Sequence, residues 1–339
     1  MKDASIAVTV IVPMRDEEQR IGPCLDSILA NEFPREQLEV LVVDGLSTDR
    51  SASIAMAYAA RFEVVRVLAN PAKVVPAALN IGIREARGRV IIIMGAHSEY
   101  PPHYIGMCLR VLETTHAEVV GSVLKTLPGG NTLTARAVAL VTQHPFGVGG
   151  SAFRTGRAGR YVDTVPYGAY RRDVFERVGL FNQNLTRNQD FEFNARIRAA
   201  GGKLFLSSDG EIAYYNVPDV RGLARQAFDN GRWLPEMWVA SRVSLRLRHM
   251  VPLVFVLVLL GCVLLAPLRG EAVILGVSTL TAYGLAAMAV ATQISYRKGA
   301  RFFFPLLGLF FTQHVMYGIG TLAGLLRVAG AHTIPATST

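Results

Sequence analysis

Apolar runs of strand length alternate with segments of helical spacing over the first hundred residues of the chain. The predicted strands cover residues 6–12, 38–43, 64–68 and 90–94. The predicted helices cover residues 16–30, 51–60 and 77–86. Strands separated by helices indicate a doubly wound, mostly parallel α/β sheet with right-handed crossovers. Ligands bind beyond the carboxyl ends of such strands, so the residues directly after each apolar run are the candidates for chemistry.

The pattern is less regular after this region. Residues 128–165 are rich in Gly, Thr and Arg, and we predict a loop-rich insert there. Helical spacing returns at residues 172–178 and 191–200, where Gly201-Gly202 provides a stop. Residues 220–248 alternate aromatic and apolar side chains with Arg, which predicts one or two amphipathic helices on a membrane surface.

Three long apolar runs follow, at residues 251–268, 272–294 and 302–326, and none contains a formally charged side chain. Each is long enough to cross about 30 Å of hydrocarbon as a helix. Three such runs in succession favour membrane spans over buried core helices. The expected organisation is a catalytic domain at 1–218, interfacial helices at 219–250, three transmembrane helices at 251–326 and a tail at 327–339.

Composition and charge support a membrane protein. Hydrophobic residues make up 51% of the 339 residues, and the formal net charge is +9. Basic residues precede the first apolar run (Arg242, Arg246, Arg248) and separate the second from the third (Arg297, Lys298, Arg301). The positive-inside rule therefore predicts a cytoplasmic catalytic domain, an external C-terminus and a multi-pass protein of the plasma or inner membrane. An anionic membrane or a phosphate-bearing substrate explains this charge better than nucleic acid does.

Neither the N-terminal segment nor the cysteines suggest a secreted, zinc-binding or disulfide-rich protein. The N-terminal segment runs directly into a strand pattern without a signal-peptide cleavage site. Cys24, Cys108 and Cys262 lie far apart in the sequence and form no CxxC pair. Neither a zinc site nor a disulfide framework is indicated.

Carboxylates follow the first two predicted strands. Asp16 and Glu17 come after the first, and Asp44 and Asp49 after the second. A carboxylate at this edge can accept hydrogen bonds from a base edge or a ribose hydroxyl, and Ser47 can cap the following helix. An alternative is that Asp44 and Asp49 serve only as turn and cap residues.

Several ordered motifs resemble family 2 of the inverting glycosyltransferases, over roughly residues 5–240. The strand-end pattern is Val12-Pro13-Met14-Arg15-Asp16-Glu17-Glu18, with Asp for the usual Asn, followed by Asp44, Ser47 and Asp49 and then by Ala78-Leu79-Asn80-Ile81-Gly82-Ile83. Within the family the chain is most similar to the succinoglycan glucosyltransferase ExoA group. The matching segments are residues 97–102, 145–150, 162–168 and 188–190.

The resemblance implies a nucleotide-sugar-binding fold of the GT-A type and assigns roles to individual residues. Asp190 would be the base that deprotonates the acceptor hydroxyl, with inversion and no covalent intermediate. The donor-binding residues would be Pro13, Asp16, Glu17, Asp44, Ser47, Asp49 and Asn80. The leaving-group or acceptor residues would be Glu192, Gln226, Arg232 and Trp233. Asp190 could alternatively be a helix N-cap, and Arg232 and Trp233 could be interfacial anchors.

The metal motif of the family is incomplete in this chain. Family members usually carry an Asp directly after the fourth strand, where this sequence reads Gly95-Ala96-His97. His97 is the remaining candidate ligand for Mn²⁺ or Mg²⁺. The alternative is a metal-independent enzyme in which cationic side chains such as Arg232 stabilise the leaving group.

The partners implied are a nucleotide-sugar, most simply a UDP-sugar, and a lipid-linked polyprenyl-diphosphate saccharide in polysaccharide assembly. A second hypothesis is a polyprenyl-phosphate sugar synthase. A third, from another class, is a catalytically silent membrane scaffold that binds nucleotide-sugar. Gly95 favours the scaffold, whereas Asp190 and Asp44 argue against it.

Overall fold

The computed structural model describes residues 6–156, 158–185, 187–241 and 247–332. The chain divides into two compact units. The first comprises Met1–Lys125 and Ala152–Tyr215, and the second comprises Thr126–Ser151 and Asn216–Thr339. The segment 126–151 thus belongs with the C-terminal part of the chain.

Nine strands occur in the described part of the chain. They are β1 (Val8–Met14), β2 (Leu38–Asp44), β3 (Val65–Ala69), β4 (Val90–Ile93), β5 (Ser98–Glu99), β6 (Val119–Leu127), β7 (Arg160–Val162), β8 (Ala169–Arg171) and β9 (Leu204–Tyr215). They form one sheet in the order β3-β2-β1-β4-β8-β6-β9-β5, with β7 beside β9.

The sheet is parallel in one half and antiparallel in the other. Strand β1 pairs in parallel with β2 and β4, and β2 pairs in parallel with β3. Strand β8 pairs antiparallel with β4 and β6, and β9 pairs antiparallel with β5 and β7. The predicted parallel sheet is therefore confirmed for β1 to β4, while the whole sheet is mixed. The chain order reverses between β1 and β4, which creates a crevice at that switch point.

The described helices follow in chain order. They are α1 (Ile21–Leu29), α2 (Ser51–Arg61), α3 (Val75–Glu85), α4 (Tyr104–Thr115), α5 (Leu133–Gln143), α6 (Pro145–Val148), α7 (Ala152–Thr155), α8 (Asp173–Val178), α9 (Gln189–Ala199), α10 (Val220–Ser241), α11 (Leu247–Leu265), α12 (Gly270–Lys298) and α13 (Phe303–His332).

Both faces of the parallel half are covered. Val10 and Val12 of β1 join a buried cluster with Leu25 and other residues of α1. Ile11 points to the other face and joins a cluster with Leu79 of α3. Because successive side chains of a strand alternate between faces, two covered faces require the continuous apolar run seen in β1. This arrangement confirms the doubly wound prediction for the first unit.

The predicted strands agree with the observed ones to within two residues at each end. The helix predicted from residue 16 begins only at Ile21. Asp16 adopts a φ of 55°, in the left-handed region, which is incompatible with a continuous helix. Residues 15–20 instead form a loop that positions candidate site residues.

The loop-rich prediction for residues 128–165 is wrong. This segment contains α5, α6, α7 and β7. The Thr132 hydroxyl caps α5 by accepting a hydrogen bond from Ala135 N at 3.0 Å. The apolar face of α5, including Val138 and Val141, is buried in one cluster with Leu306 and Phe310 of α13. Tertiary burial thus stabilises a helix whose composition gives little signal.

The amphipathic segment predicted at 220–248 begins with one helix, α10, and residues 242–246 lie outside the described residues. Helix α10 packs along α13 through glycines. A Cβ atom at Gly231 would overlap Tyr317 O, and one at Gly320 or Gly324 would overlap the α10 backbone at Phe228 or Arg232. Small residues at this spacing are typical of tight packing between membrane helices. The α10 face that we expected on a membrane surface is therefore partly used against α13.

Two helical segments in the described residues are long and apolar enough to cross a membrane, by length and composition: Gly270–Lys298 and Ala300–Gly330. The apolar stretch His249–Leu265 is shorter. Several large apolar side chains of α12 are exposed, among them Ile274 and Val277. The structure thus gives two candidate spans, and the third predicted span stays a prediction.

Candidate active site

Two loops at the carboxyl edge of the parallel strands are joined side by side. The first follows β1 and the second follows β2. Asp16 Oδ1 accepts hydrogen bonds from Thr48 N at 2.7 Å and from the Thr48 hydroxyl at 3.1 Å. In return, Asp16 N donates to Ser47 Oγ at 3.0 Å. Asp16, predicted to bind donor, therefore has a structural role in joining the loops.

The same two loops are joined again at the start of α2. Glu18 N donates to Asp49 Oδ2 at 3.1 Å, and Glu17 N donates to Ser51 Oγ at 2.7 Å. Asp49 Oδ1 accepts from Ser51 N at 2.9 Å and from its hydroxyl at 2.5 Å. The Ser51 hydroxyl is the largest factor that lowers the pKa of Asp49. These contacts favour the cap alternative for Asp49.

Asp44 ends β2 beside Met14 of β1 and Ala69 of β3. It is 8% exposed, and its carboxylate accepts a hydrogen bond from the Ser47 hydroxyl at 2.5 Å. Ser47 therefore supports Asp44, as well as Asp16, from the second loop. Pro13 lies one residue before the end of β1, opposite Val43. As a proline it has no backbone N–H to donate to a ligand.

Asn70 is a further polar residue at this edge that the sequence reasoning missed. Asn70 N donates to Asp44 O at 2.7 Å, and its side-chain amide donates to Val74 O at 3.0 Å. The residue is 1% exposed, and within the described residues its Oδ1 atom has no hydrogen-bond partner. A buried acceptor without a partner costs free energy unless a ligand or water supplies a donor. Its position one residue after β3 was the available signal.

Glu17 and His97 meet at the switch point. Glu17 follows β1 and His97 follows β4, and these strands are neighbours in the sheet. The Glu17 Oε1 atom lies 3.0 Å from His97 Nδ1. Both side chains are partly exposed, 25% for Glu17 and 34% for His97. The two residues can therefore reach a ligand in the crevice while holding each other in place.

The site contains one fitting cation ligand and lacks the usual acidic one. Within the described ranges, no group of three or more His, Cys, Asp or Glu residues gathers to hold a metal. Metal-binding His residues commonly donate their other ring N–H to a carboxylate, and Glu17 beside His97 matches that arrangement. Gly95 has no side chain to contribute. His97 therefore fits as the single protein ligand, with the other oxygens coming from a diphosphate and water.

Asp190 lies in the first turn of α9, after Asn188, whose φ is 57°. Burial raises the pKa of the Asp190 carboxyl above its ordinary value, while the N–H groups of Phe191 and Asp190 and the charges of Arg154 and Arg187 oppose this shift. A carboxylate with a raised pKa is a stronger base. Asp190 is therefore suited to accept a proton.

Tyr167 links Asp190 with His97. The Tyr167 hydroxyl lies 3.3 Å from His97 Nε2. Burial raises the Tyr167 pKa, and the charges of Asp190 and Arg154 also act on this group. The structure therefore brings Glu17, His97, Tyr167 and Asp190 into one electrostatic neighbourhood.

Arg154 of α7 is a second residue that the sequence reasoning missed. Its guanidinium lies 5.2 Å from the centre of the Tyr214 ring, and that ring packs edge-on against His97 with 5.2 Å between ring centres. Arg154 also acts electrostatically on Asp190 and Tyr167. A cation at this place can stabilise a diphosphate. Residue 154 lies in the segment predicted as loop-rich, so the sequence analysis named no candidate site residue there.

Asn80 and Glu192 have structural contacts that differ from their predicted roles. The Asn80 amide donates to Phe181 O at 2.8 Å and accepts from Phe181 N at 2.9 Å, and the residue is 2% exposed. Glu192 is equally buried and pairs through both oxygens with Arg196, at 2.7 and 3.1 Å. Burial and occupied polar groups leave neither residue available to a substrate. Asn80 thus fixes the chain at Phe181, before α9, and Glu192 stabilises α9 through its pair with Arg196.

Gln226, Arg232 and Trp233 lie on α10, in the second unit. The guanidinium of Arg232 lies 5.9 Å from the Trp233 ring centre, and that of Arg327 lies 5.8 Å from it. Glu236 Oε1 pairs with Arg327 Nη1 at 3.0 Å. These three predicted residues therefore share one helix beside α13, while the other predicted site residues belong to the first unit.

Known proteins resemble this chain in sequence and fold. Residues 9–179 match the family described as "Glycosyl transferase family 2". The succinoglycan biosynthesis protein ExoA of Rhizobium meliloti is 27% identical over 263 residues, which cover 77% of this chain and 78% of ExoA. A Methanococcus voltae relative is also 27% identical, over 66% of this chain and 71% of its own length. Its name is dolichyl N-acetyl-alpha-D-glucosaminyl phosphate 3-beta-D-2,3-diacetamido-2,3-dideoxy-beta-D-glucuronosyltransferase.

A solved structure gives the same architecture. The mannosyltransferase PcManGT from Pyrobaculum calidifontis, solved with GDP-Man and Mn²⁺, aligns with a TM-score of 0.58 over 94% of this chain and 87% of its own. At 19% identity this likeness shows the fold. The family match covers half of the chain and includes the strand-end loops described above. The chain therefore belongs to glycosyl transferase family 2 and is a glycosyltransferase with a GT-A-like fold.

Proposed function

We propose that this glycosyltransferase moves a sugar, with inversion, from a UDP-sugar to a lipid-linked polyprenyl-diphosphate saccharide during polysaccharide assembly. The observation that carries the proposal is the cluster at the switch point, where Glu17, His97 and Tyr167 are in contact and Asp190 acts on Tyr167. A general base, a candidate cation ligand and a nucleotide-side carboxylate then belong to one unit. A single displacement can use such a base together with charge stabilisation of the leaving group.

The proposed step is one displacement at the anomeric carbon. The acceptor oxygen forms a bond to that carbon as the bond to the diphosphate oxygen breaks, and the hydroxyl proton passes to the Asp190 carboxylate. The diphosphate leaves with its electron pair. A divalent cation held by His97 would supply charge neutralisation there. Arg154 adds a fixed positive charge on the same side of the unit.

Donor binding is assigned to the ends of β2 and β3. The Asp44 carboxylate and the side-chain Oδ1 atom of Asn70, which has no partner among the described residues, are acceptors at neighbouring strand ends. Ribose hydroxyls and the N–H groups of a pyrimidine base are donors, so they complement these two groups. The loop contacts of Asp16, Ser47 and Asp49 hold this edge in shape. These residues act through Asp44 in the proposal.

The acceptor assignment depends on the second unit and on the relatives. The name of the Methanococcus voltae relative places its substrate on a dolichyl phosphate carrier. Two apolar helical segments of this chain can hold the protein in a membrane, where such lipids reside. Gln226, Arg232 and Trp233 are proposed acceptor-side or leaving-group residues because α10 packs along one of those helices. The distribution of Arg and Lys around the apolar runs supports a cytoplasmic catalytic domain on a plasma or inner membrane.

The test is release of nucleoside diphosphate by purified full-length protein. A panel of UDP- and GDP-sugars would be offered with a polyprenyl-diphosphate saccharide, with bare polyprenyl phosphate, or with no acceptor. Release of UDP only with the lipid-linked saccharide is the expected result. Release with bare polyprenyl phosphate would show a polyprenyl-phosphate sugar synthase. Donor binding without release under any condition would show a silent scaffold.

A further inference from the structure

The space beside Gly95 is filled by another side chain. A Cβ atom placed on Gly95 would lie 2.7 Å from the Cε1, Cζ and hydroxyl oxygen atoms of Tyr167. That is closer than van der Waals contact allows, so an acidic side chain at position 95 has no room while Tyr167 keeps its place. A carboxylate side chain at position 95 would therefore require the Tyr167 ring to move.

The backbone holds Tyr167 in an unusual conformation. Its φ is 46°, in the left-handed region that bulky residues seldom adopt. The Tyr167 carbonyl accepts a hydrogen bond from the Tyr104 hydroxyl at 3.4 Å. Strained residues of this kind concentrate where a side chain must be aimed at a functional site. The strain here places the phenol against Gly95 and beside His97.

The contacts of His97 decide which ring nitrogen is free. An ionised Glu17 carboxylate only accepts hydrogen bonds, so the proton lies on His97 Nδ1, 3.0 Å from Glu17 Oε1. With Nδ1 as the donor to Glu17, Nε2 is the ring nitrogen that can offer a lone pair. The Tyr167 hydroxyl, 3.3 Å away, donates to that lone pair. A cation bound by His97 needs the same lone pair.

We propose that the Tyr167 hydroxyl competes with a divalent cation for Nε2 of His97, so that this enzyme binds the cation weakly unless a donor diphosphate is present. Glu17 is the positioning residue that fixes the His97 tautomer, and Tyr167 is the residue whose hydroxyl competes with the cation. The inference rests on the proposed function only through the diphosphate. In this proposal, weak cation binding results from the Tyr167 hydroxyl and not only from the lack of a carboxylate at Gly95.

The first test measures Mn²⁺ binding to full-length protein by electron paramagnetic resonance, with UDP as the phosphate-bearing probe. Tyr167→Phe keeps the ring against Gly95 and removes the hydroxyl. We expect it to bind Mn²⁺ roughly 2- to 10-fold more tightly than the wild type, the factor that corresponds to one hydrogen bond. Equal or weaker Mn²⁺ binding would overturn the proposal. Tyr215→Phe is the matched control, because the Tyr215 hydroxyl bonds to Glu99 instead.

His97→Ala tests whether the imidazole is the group that binds Mn²⁺. This variant should bind Mn²⁺ more weakly than the wild type, and adding Tyr167→Phe to it should change nothing further. Unchanged Mn²⁺ binding in His97→Ala would show that the cation is held elsewhere and would also overturn the proposal. Because these measurements need no turnover, a negative transferase assay would refute the proposed function without affecting this result.

A second test asks whether the Tyr167 ring leaves room for an acidic side chain at position 95. Gly95→Asp by itself is expected to lower the melting temperature and to leave Mn²⁺ binding no tighter, contrary to the simple expectation that it restores a ligand. Combined with Tyr167→Ala, it should recover stability relative to Gly95→Asp and should bind Mn²⁺ more tightly than Tyr167→Ala alone. A Gly95→Asp protein with the wild-type melting temperature and tighter Mn²⁺ binding would contradict the exclusion of an acidic side chain by Tyr167.

Discussion

The carboxylate of Glu17 and the imidazole of His97 meet at 3.0 Å across the point where the strand order of the sheet reverses. Eighty positions separate the two residues in the chain. Neighbouring parallel strands β1 and β4 bring their following loops together at the same edge. This contact joins the loop after β1 to the loop after β4.

Asp190→Asn is expected to leave UDP binding nearly unchanged and to lower turnover by roughly 100-fold or more, the usual scale for loss of a general base. The amide keeps the shape of the side chain but cannot accept the acceptor proton. Turnover with saturating donor, and UDP affinity by calorimetry, are the measurements. Asp173→Asn is the matched control, since Asp173 is an exposed Asp in the first turn of the neighbouring helix α8. Near-normal turnover of Asp190→Asn would remove Asp190 from the mechanism.

The pH dependence of turnover should reflect the ionisation of the Asp190 carboxyl. Burial raises its pKa, and the base is active only when ionised. Activity is therefore present above the raised pKa and is lost as the pH falls through it, so the acid limb should lie at higher pH than an ordinary Asp would give. The pH profile of kcat measures this. An acid limb at or below the ordinary Asp value of 3.8 would contradict the burial argument.

Asp44→Ala is expected to weaken UDP binding more than it slows the bound-state reaction. Asp44 is a nearly buried acceptor at the end of β2, where a base or ribose contact is proposed. Calorimetric affinity for UDP and kcat at saturating donor separate the two effects. Ser47→Ala removes the hydroxyl that supports Asp44 and shows how much of the loss comes from loop order. A UDP affinity equal to wild type in Asp44→Ala would refute the assignment.

Glu39→Gln is expected to lower the free energy of unfolding by roughly 1–3 kcal/mol. Glu39 is fully buried in β2 and accepts from the Thr9 hydroxyl at 2.8 Å and from Arg87 Nε at 2.7 Å. The expected loss is below the largest values for buried pairs because Arg87 is 61% exposed. Chemical denaturation measures the effect, and Glu63→Gln, at an exposed position, is the control. A loss no larger than that of the control would refute this role.

The same residue predicts a pH effect on stability. Burial raises the pKa of Glu39, but the hydrogen bonds from the Arg87 N–H, Thr9 and the Arg87 side chain together lower it below 4.5. Its stabilisation is therefore fully present above 4.5 and is lost as the pH falls through the lower folded-state value. Glu39→Gln should lose part of the acid sensitivity of unfolding. An unchanged acid sensitivity would show that other carboxylates dominate.

The distribution of Arg and Lys predicts that a reporter fused at the C-terminus lies on the external side. Basic residues Arg297, Lys298 and Arg301 mark the cytoplasmic end of α12 and α13 in this proposal. Paired reporters that are active only inside or only outside the cell provide the measurement. A cytoplasmic reading would refute three spans. It would favour two or four spans.

The amino-acid sequence by itself determined the parallel strands, the order of the strand-end motifs and the apolar C-terminal helices. These features depend on local periodicity and on short runs of residues, and the proposed roles of Asp190, Asp44 and His97 came from family motifs in the same way. Which polar residues are free could not be predicted, because hydrogen bonding is decided by partners distant in sequence. Asn80 contacts Phe181, and Asp16 contacts Thr48, so both have structural contacts.

Only the tertiary structure decided which side chain fills the space beside Gly95. Gly95 reads as a missing ligand in the sequence, and Tyr167 reads as one aromatic residue in a matching segment. Seventy positions separate Tyr167 from His97, and the left-handed backbone at Tyr167 brings its phenol to both Gly95 and His97. The possible roles of Arg154 and Asn70 likewise depend on the groups that surround them in the folded chain. Packing fixes these relationships because each side chain occupies space that another residue would otherwise need.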